Sequence, residues 1–203
     1  MNHFGSALGA CVLCACIPQA FPPLSTMPRK NRKKTSTSKA GPAGARSQAV
    51  PVLTLLALAS GGRHSEIARL VNGGGIDNIN EADERGWTAL LVGCQTGHSE
   101  VVELLVSAGA SVDQANNDGT TPLFIACQNG HSEVVQLLAS AGASMDQAYY
   151  AGSTPLFMAC QKGHSEVVQV LLSAGASVDQ PMNDGTTPLY IACQEGHSNV
   201  VQV

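Results

Sequence analysis

A 33-residue period runs through most of this chain, and it limits the possible fold more than any other feature. Gly86, Gly119, Gly152 and Gly185 recur at that interval, as do His98, His131, His164 and His197. The unit from Gly119 reads G-T-T-P-L-F-I-A-C-Q-N-G-H-S-E-V-V-Q-L-L-A-S-A-G-A, and the unit from Gly152 restarts in nearly the same letters. A fainter copy lies upstream, where Leu55 to Ala59 is followed by Gly62-Arg63-His64-Ser65-Glu66-Ile67. His64 to His98 is 34 residues, so one insertion is expected at Gly73-Gly74-Gly75. A fixed period of this length marks a stack of small units, each of which buries its apolar face only against its neighbours.

Each unit reads as a helix, a tight turn, a second helix and an extended loop. Thr121 suits an N-cap and Pro122 the first helical position, where a missing N–H costs nothing. Leu123, Ile125, Ala126 and Cys127 supply the buried side, and Gly130 can take the left-handed conformation that ends a helix. Ser132 is expected to cap the second helix, with Glu133 near its positive end. Val134, Val135, Leu137 and Leu138 then form one apolar stripe. Gly142 closes that helix. Helices of two to three turns are marginal alone, so unit-to-unit burial must hold them.

These residues resemble the ankyrin repeat, which has the same period and a T-P-L-H-x-A signature. The resemblance covers about residues 52–203 and rests on D-G-T-T-P-L (Asp118 to Leu123, Asp184 to Leu189), G-H-S-E-V-V (Gly130 to Val135) and L-L-x-x-G-A (Leu105 to Ala110 without a gap). It implies an all-α solenoid of stacked helix-turn-helix units with β-hairpin-like loops. About four full repeats are expected at 52–84, 85–117, 118–150 and 151–183, with a truncated fifth at 184–203. The repeat domain is placed at 49–203, after a disordered segment at 1–48. Some positions depart from the family pattern. The His of T-P-L-H is Leu91, Phe124, Phe157 or Tyr190 here, which replaces a polar staple by apolar packing. The second Ala of the usual pair is Cys, and Ser99, Ser132, Ser165 and Ser198 stand where the family often has Leu. Together these changes imply units less stable than a consensus array.

Charge divides the chain. Residues 1–47 hold seven of the eleven Lys and Arg and no acidic residue, whereas the remainder holds four basic and all fifteen acidic residues, a formal charge of −11. Such an acidic body argues against nucleic acid as a partner of the repeats, because phosphate contacts need clustered Lys and Arg. Arg29 to Lys34 lies in a basic tail, residues 27–47, that reads either as a localisation signal or as a solubilising segment. Ala7 to Ile17, within the leader 1–26, is too short an apolar run to span a bilayer and lacks a basic n-region. Cys11, Cys14 and Cys16 leave acylation or metal binding open. A start at Met27, or disorder over the first 26 residues, is expected. At the other end, Val203 falls inside a second helix, so fraying is expected from about Gly196.

The remaining cysteines and histidines do not form a chemical centre in this reading. Cys94, Cys127, Cys160 and Cys193 appear once per unit. Equivalent residues of stacked helices lie about 8–10 Å apart, too far for a disulfide or for shared zinc ligation. They are expected to be reduced, buried and metal-free, in a cytoplasmic or nuclear, intracellular setting. Ser132 beside His131 and Glu133 does not converge on one point, and no phosphate-binding loop is present. No catalysis and no cofactor are expected.

The resemblance implies a protein-interaction scaffold or adaptor, and a monomer. In the family, the loop tips and the exposed end of the first helix make the contacts. Carried over, these are Glu84, Arg85 and Trp87 in the second unit, and Asn117 and Asn129 in the third. Tyr150 and Lys162 follow in the fourth, and Asn183 and Glu195 in the fifth. Trp87 has two readings, an exposed aromatic anchor or a side chain packed over the first unit. Two other functions remain open: the repeats as part of a larger multidomain protein with an enzyme domain beyond residue 203, and a basic-tail tether to nucleic acid or membrane with the repeats as spacer.

Overall fold

The computed structural model describes residues 51–203; the segment expected to be disordered at 1–48, with its leader 1–26 and basic tail 27–47, lies outside the described residues. Five helix pairs follow one another in the described part: α1 (Val52–Ser60) and α2 (His64–Asn72), α3 (Ala89–Thr96) and α4 (Ser99–Ser107), α5 (Pro122–Asn129) and α6 (Ser132–Ser140), α7 (Pro155–Lys162) and α8 (Ser165–Ser173), α9 (Pro188–Gln194) and α10 (Ser198–Val201). All regular structure among these residues is helical. The first helices α1, α3, α5, α7 and α9 pack in series, and the second helices α2, α4, α6, α8 and α10 form a parallel series beside them. This is the stack of units that the period implies.

Local chemistry starts and stops the first helices as expected. Thr121 Oγ1 accepts the Phe124 N–H at 3.2 Å, and Thr154 does the same for Phe157 at 3.1 Å. Pro122, Pro155 and Pro188 sit in the first turn, where no intrahelical acceptor is needed. Gly97, Gly130 and Gly163 end α3, α5 and α7 at φ values of 76°, 79° and 75°. The second helices begin differently. His131, not Ser132, is the N-cap of α6, and no side chain caps that end. Ser132 is already helical, and its hydroxyl donates to Glu166 Oε2 at 3.2 Å. Arg63 in the first unit takes the same place without a side-chain cap.

A continuous core runs through all five pairs. Leu123, Leu138, Val135, Val102, Leu105, Val167 and Leu171 have no solvent exposure. Leu91, Phe124 and Phe157, which replace the family's histidine, are buried, as the apolar-packing reading requires, but Tyr190 at the same position is exposed, which corrects that reading there.

The first unit departs from its expected register. In α4 the His98 N–H donates to Gly93 O and Val102 N–H to His98 O. The same bonds in the first unit are Arg63 N–H to Leu58 O and Ile67 N–H to Arg63 O. Arg63 therefore occupies the slot assigned to His64, 35 residues before His98. Gly75 N–H closes α2 on Leu70 O as Ala110 closes α4 on Leu105 O, so the extra residues follow the glycines. They number two, within residues 76–79, because Asn80 regains the 33-residue register with Asp113. Displaced into α2, His64 places Nδ1 3.0 Å from Glu100 Oε2.

Candidate functional site

Two sets of contacts fix each unit on the one before it, and so set the line of the loop tips. The first is a histidine series. His98, His131, His164 and His197 direct Nε2 to the carbonyl oxygens of Ser60, Gln95, Gln128 and Gln161, at 3.0–3.2 Å. Each of those carbonyls lies near the C-terminal end of the preceding unit's first helix, where intrahelical partners run out. The same rings lie on the preceding glycine: a Cβ at Gly97 would fall 2.5 Å from the His131 ring, at Gly130 2.7 Å from His164, and at Gly163 2.6 Å from His197. Each of these histidines thus bonds its unit to the one before it. The second set lies in the loops. Asn80 Oδ1 accepts the Ser111 N–H at 2.7 Å, and Asp113 and Asp146 accept the Ser144 and Ser177 N–H groups at 3.0 and 2.9 Å. Sequence reasoning passed over this second set, although Asp113 and Asp146, Ser111, Ser144 and Ser177 all recur at the period.

Each tip is a tight turn whose ends are joined by a backbone bond: Asp83 N–H to Trp87 O, Asn116 to Thr120, Tyr149 to Ser153 and Met182 to Thr186, at 2.8–3.0 Å. Side chains then differ between tips. Asp83 Oδ1 accepts from Arg85 and Trp87 N–H, both at 2.9 Å, and Asn116 Oδ1 accepts from Asp118 and Thr120 at 3.0 and 2.9 Å. Such a side chain bends the backbone around itself. The tip at 149–153 has Tyr149 in that place, and its ring lies against Phe124 with centroids 4.9 Å apart. Tyr150, one residue on, forms part of a 3₁₀ turn at Tyr150–Gly152. Ala151 is the one non-glycine residue with positive φ among the described residues, at 58°. Left-handed backbone costs a side-chain-bearing residue about 1–2 kcal/mol. Ala151→Gly is therefore expected to stabilise the protein by about 0.5–1 kcal/mol, after the larger chain entropy of glycine is counted. Urea unfolding curves of the two chains measure this.

The structure places the expected site residues on this row of tips and first-helix ends, with one exception. Glu84, Arg85, Asn117, Asn129, Tyr150, Lys162, Asn183 and Glu195 are exposed. Tyr150 is 74 % exposed. Asn117 and Asn129 also bridge units, through Nδ2 donation to Glu84 O at 3.0 Å and Gln95 O at 3.3 Å. Trp87 is the exception: it is 7 % exposed and part of the core, so the exposed-anchor reading is corrected in favour of the packing one. Its position in the tip was legible, but not which of its two readings holds.

Cysteine chemistry follows burial. Cys94, Cys127 and Cys160 are buried free thiols, and Cys193 is an exposed one, which corrects the expectation that all four are buried. Loss of solvation pushes the Cys94 and Cys127 thiols far above the ordinary range and Cys160 up to about 11. The thiolate is the reactive form. Iodoacetamide at pH 8 is accordingly expected to modify Cys193 in the folded protein and Cys94, Cys127 and Cys160 only after unfolding, as peptide mapping will show. No helix among the described residues is long and apolar enough to cross a membrane.

Comparison with known families agrees with this geometry. The family model described as ankyrin repeats (3 copies) matches residues 53–149 and again residues 143–203. No curated protein matches the chain.

Proposed function

Because this chain belongs to the ankyrin repeat family, whose members are generally protein-interaction modules, we propose that it acts by binding a protein partner along its row of tips, without catalysis. The observation that carries this reading is the division of labour within the units. The histidine and loop-carboxylate positions that bond one unit to the next are repeated almost unchanged, as in His131, His164 and His197 and in Asp113 and Asp146. Positions that differ between neighbouring units gather at the tips and first-helix ends, where Glu84, Arg85, Tyr150, Lys162, Asn183 and Glu195 face solvent. Variation on a rigid, periodic frame supplies specificity, since a few exposed aromatic and charged side chains dominate most protein interfaces.

Affinity capture with the full-length chain tests the proposal. The wild-type chain should retain a protein that Tyr150→Ala loses, while Gln136→Ala and Gln169→Ala, exposed on the second helices, retain it. Capture lost with the glutamine variants and kept with Tyr150→Ala would move the site to the opposite face. Circular dichroism melts of the same variants separate loss of contact from loss of fold.

A further inference from the structure

We propose that the tip at 149–153 receives a cationic side chain, so that the partner is a protein segment bearing Arg or Lys; this rests on the protein-binding reading above and narrows it to one chemistry. The Tyr150 ring is exposed, yet it is not loose: its centroid lies 6.5 Å from that of Tyr149, which in turn packs on the buried Phe124. An aromatic face held in place against water attracts a guanidinium or ammonium group. Tyr150 also stands between two carboxylates. Asn117-Asp118 and Asn183-Asp184 occupy the equivalent positions one unit to either side, and all four residues are exposed. The Asn183 N–H donates to Ala151 O at 2.9 Å, which seats the tip at 182–186 directly against the tip at 149–153. Among the described residues neither Asp118 nor Asp184 is in an ion pair. Asp184 is held in the charged form by hydrogen bonds from Thr186, chiefly its backbone N–H.

The surroundings reinforce the sign. Residues 118–203 carry seven acidic side chains and a single base, Lys162. An approaching cationic segment is drawn to this end of the array, whereas a phosphorylated or acidic one is repelled. The aromatic ring then discriminates among cations by contact, which diffuse charge cannot do.

The test is fluorescence anisotropy of the full-length chain with two labelled peptides, one of four Arg-Gly-Ser repeats and one of four Gln-Gly-Ser repeats. The arginine peptide should bind at least about tenfold more tightly than the glutamine peptide at low salt. Tyr150→Ala should weaken it about three- to tenfold, while Tyr150→Phe, which keeps the ring, stays within about twofold. The double variant Asp118→Asn with Asp184→Asn should weaken binding and flatten its salt dependence, and Glu133→Gln, on the second-helix face, should leave it unchanged. Equal binding of the two peptides would overturn the proposal. So would arginine-peptide binding that Glu133→Gln reduces as much as the tip variants do, because that is diffuse acidity. A protein captured by the wild-type chain and lost with Tyr150→Ala, alongside either of those results, removes the cationic chemistry and leaves the protein-binding edge standing.

Discussion

Gly130→Ala is expected to destabilise the protein by about 3 kcal/mol, against about 1 kcal/mol for Gly142→Ala. The two glycines have nearly the same backbone, φ of 79° and 84°, so the left-handed strain of an added Cβ is common to both. Their surroundings differ. At Gly130 the Cβ would lie 2.7 Å from the His164 ring, whereas at Gly142 nothing lies within 4 Å. The ring has to move, and its 3.2 Å bond to Gln128 O is lost with it, leaving a helix-end carbonyl without that partner. Subtracting the two effects therefore isolates the glycine–histidine contact between units. Urea melts of both variants give the difference. Equal costs would mean that these glycines are kept for their backbone alone and that the histidine contact does not hold the stack.

Leu156→Ala and Leu189→Ala should differ as widely, although the two leucines hold the same place in successive units. Leu156 is 1 % exposed and Leu189 55 %. A buried leucine truncated to alanine costs about 2–5 kcal/mol, from lost burial and the cavity left behind. At a surface position the change is within about 0.5 kcal/mol. The same gradient shows at neighbouring sites: Phe157 is 4 % exposed and its counterpart Tyr190 61 %, while Val168 is 3 % and Val201 43 %. Stability thus comes from the interface between units more than from any unit by itself, as a quasi-one-dimensional stack requires. Equal effects at the two leucines, read from melting curves, would contradict that.

The parts of this fold that were legible in the sequence are those that depend on local chemistry repeated at a fixed interval. Thr121-Pro122 starts a helix and Gly130 ends one because capping and left-handed backbone act within a few residues. The register of the first unit was misread for the converse reason. His64-Ser65-Glu66 matches the letters H-S-E of the later units, but the slot is set by the backbone bond from residue 63 to Leu58 and by the apolar Ile67 meeting the core. Ser132 was misread as a cap because a serine before a helix usually is one, and nothing local reveals that His131 is held from the neighbouring unit. The candidate edge was legible as a set of positions, since its residues vary where the frame does not. Which way a tip side chain turns follows its place in the turn: Trp87 and its counterpart Ser153 are buried, whereas Tyr150 and its counterparts Glu84, Asn117 and Asn183 are exposed.

Hydrogen–deuterium exchange of the full-length chain with and without its captured protein tests the central claim most directly. Protection on binding is predicted at the tips, residues 83–87, 116–120, 149–153 and 182–186, and at the ends of α5 and α7, with α4, α6 and α8 unchanged. Protection confined to α4, α6 and α8, with the tips exchanging as in the free chain, would contradict it.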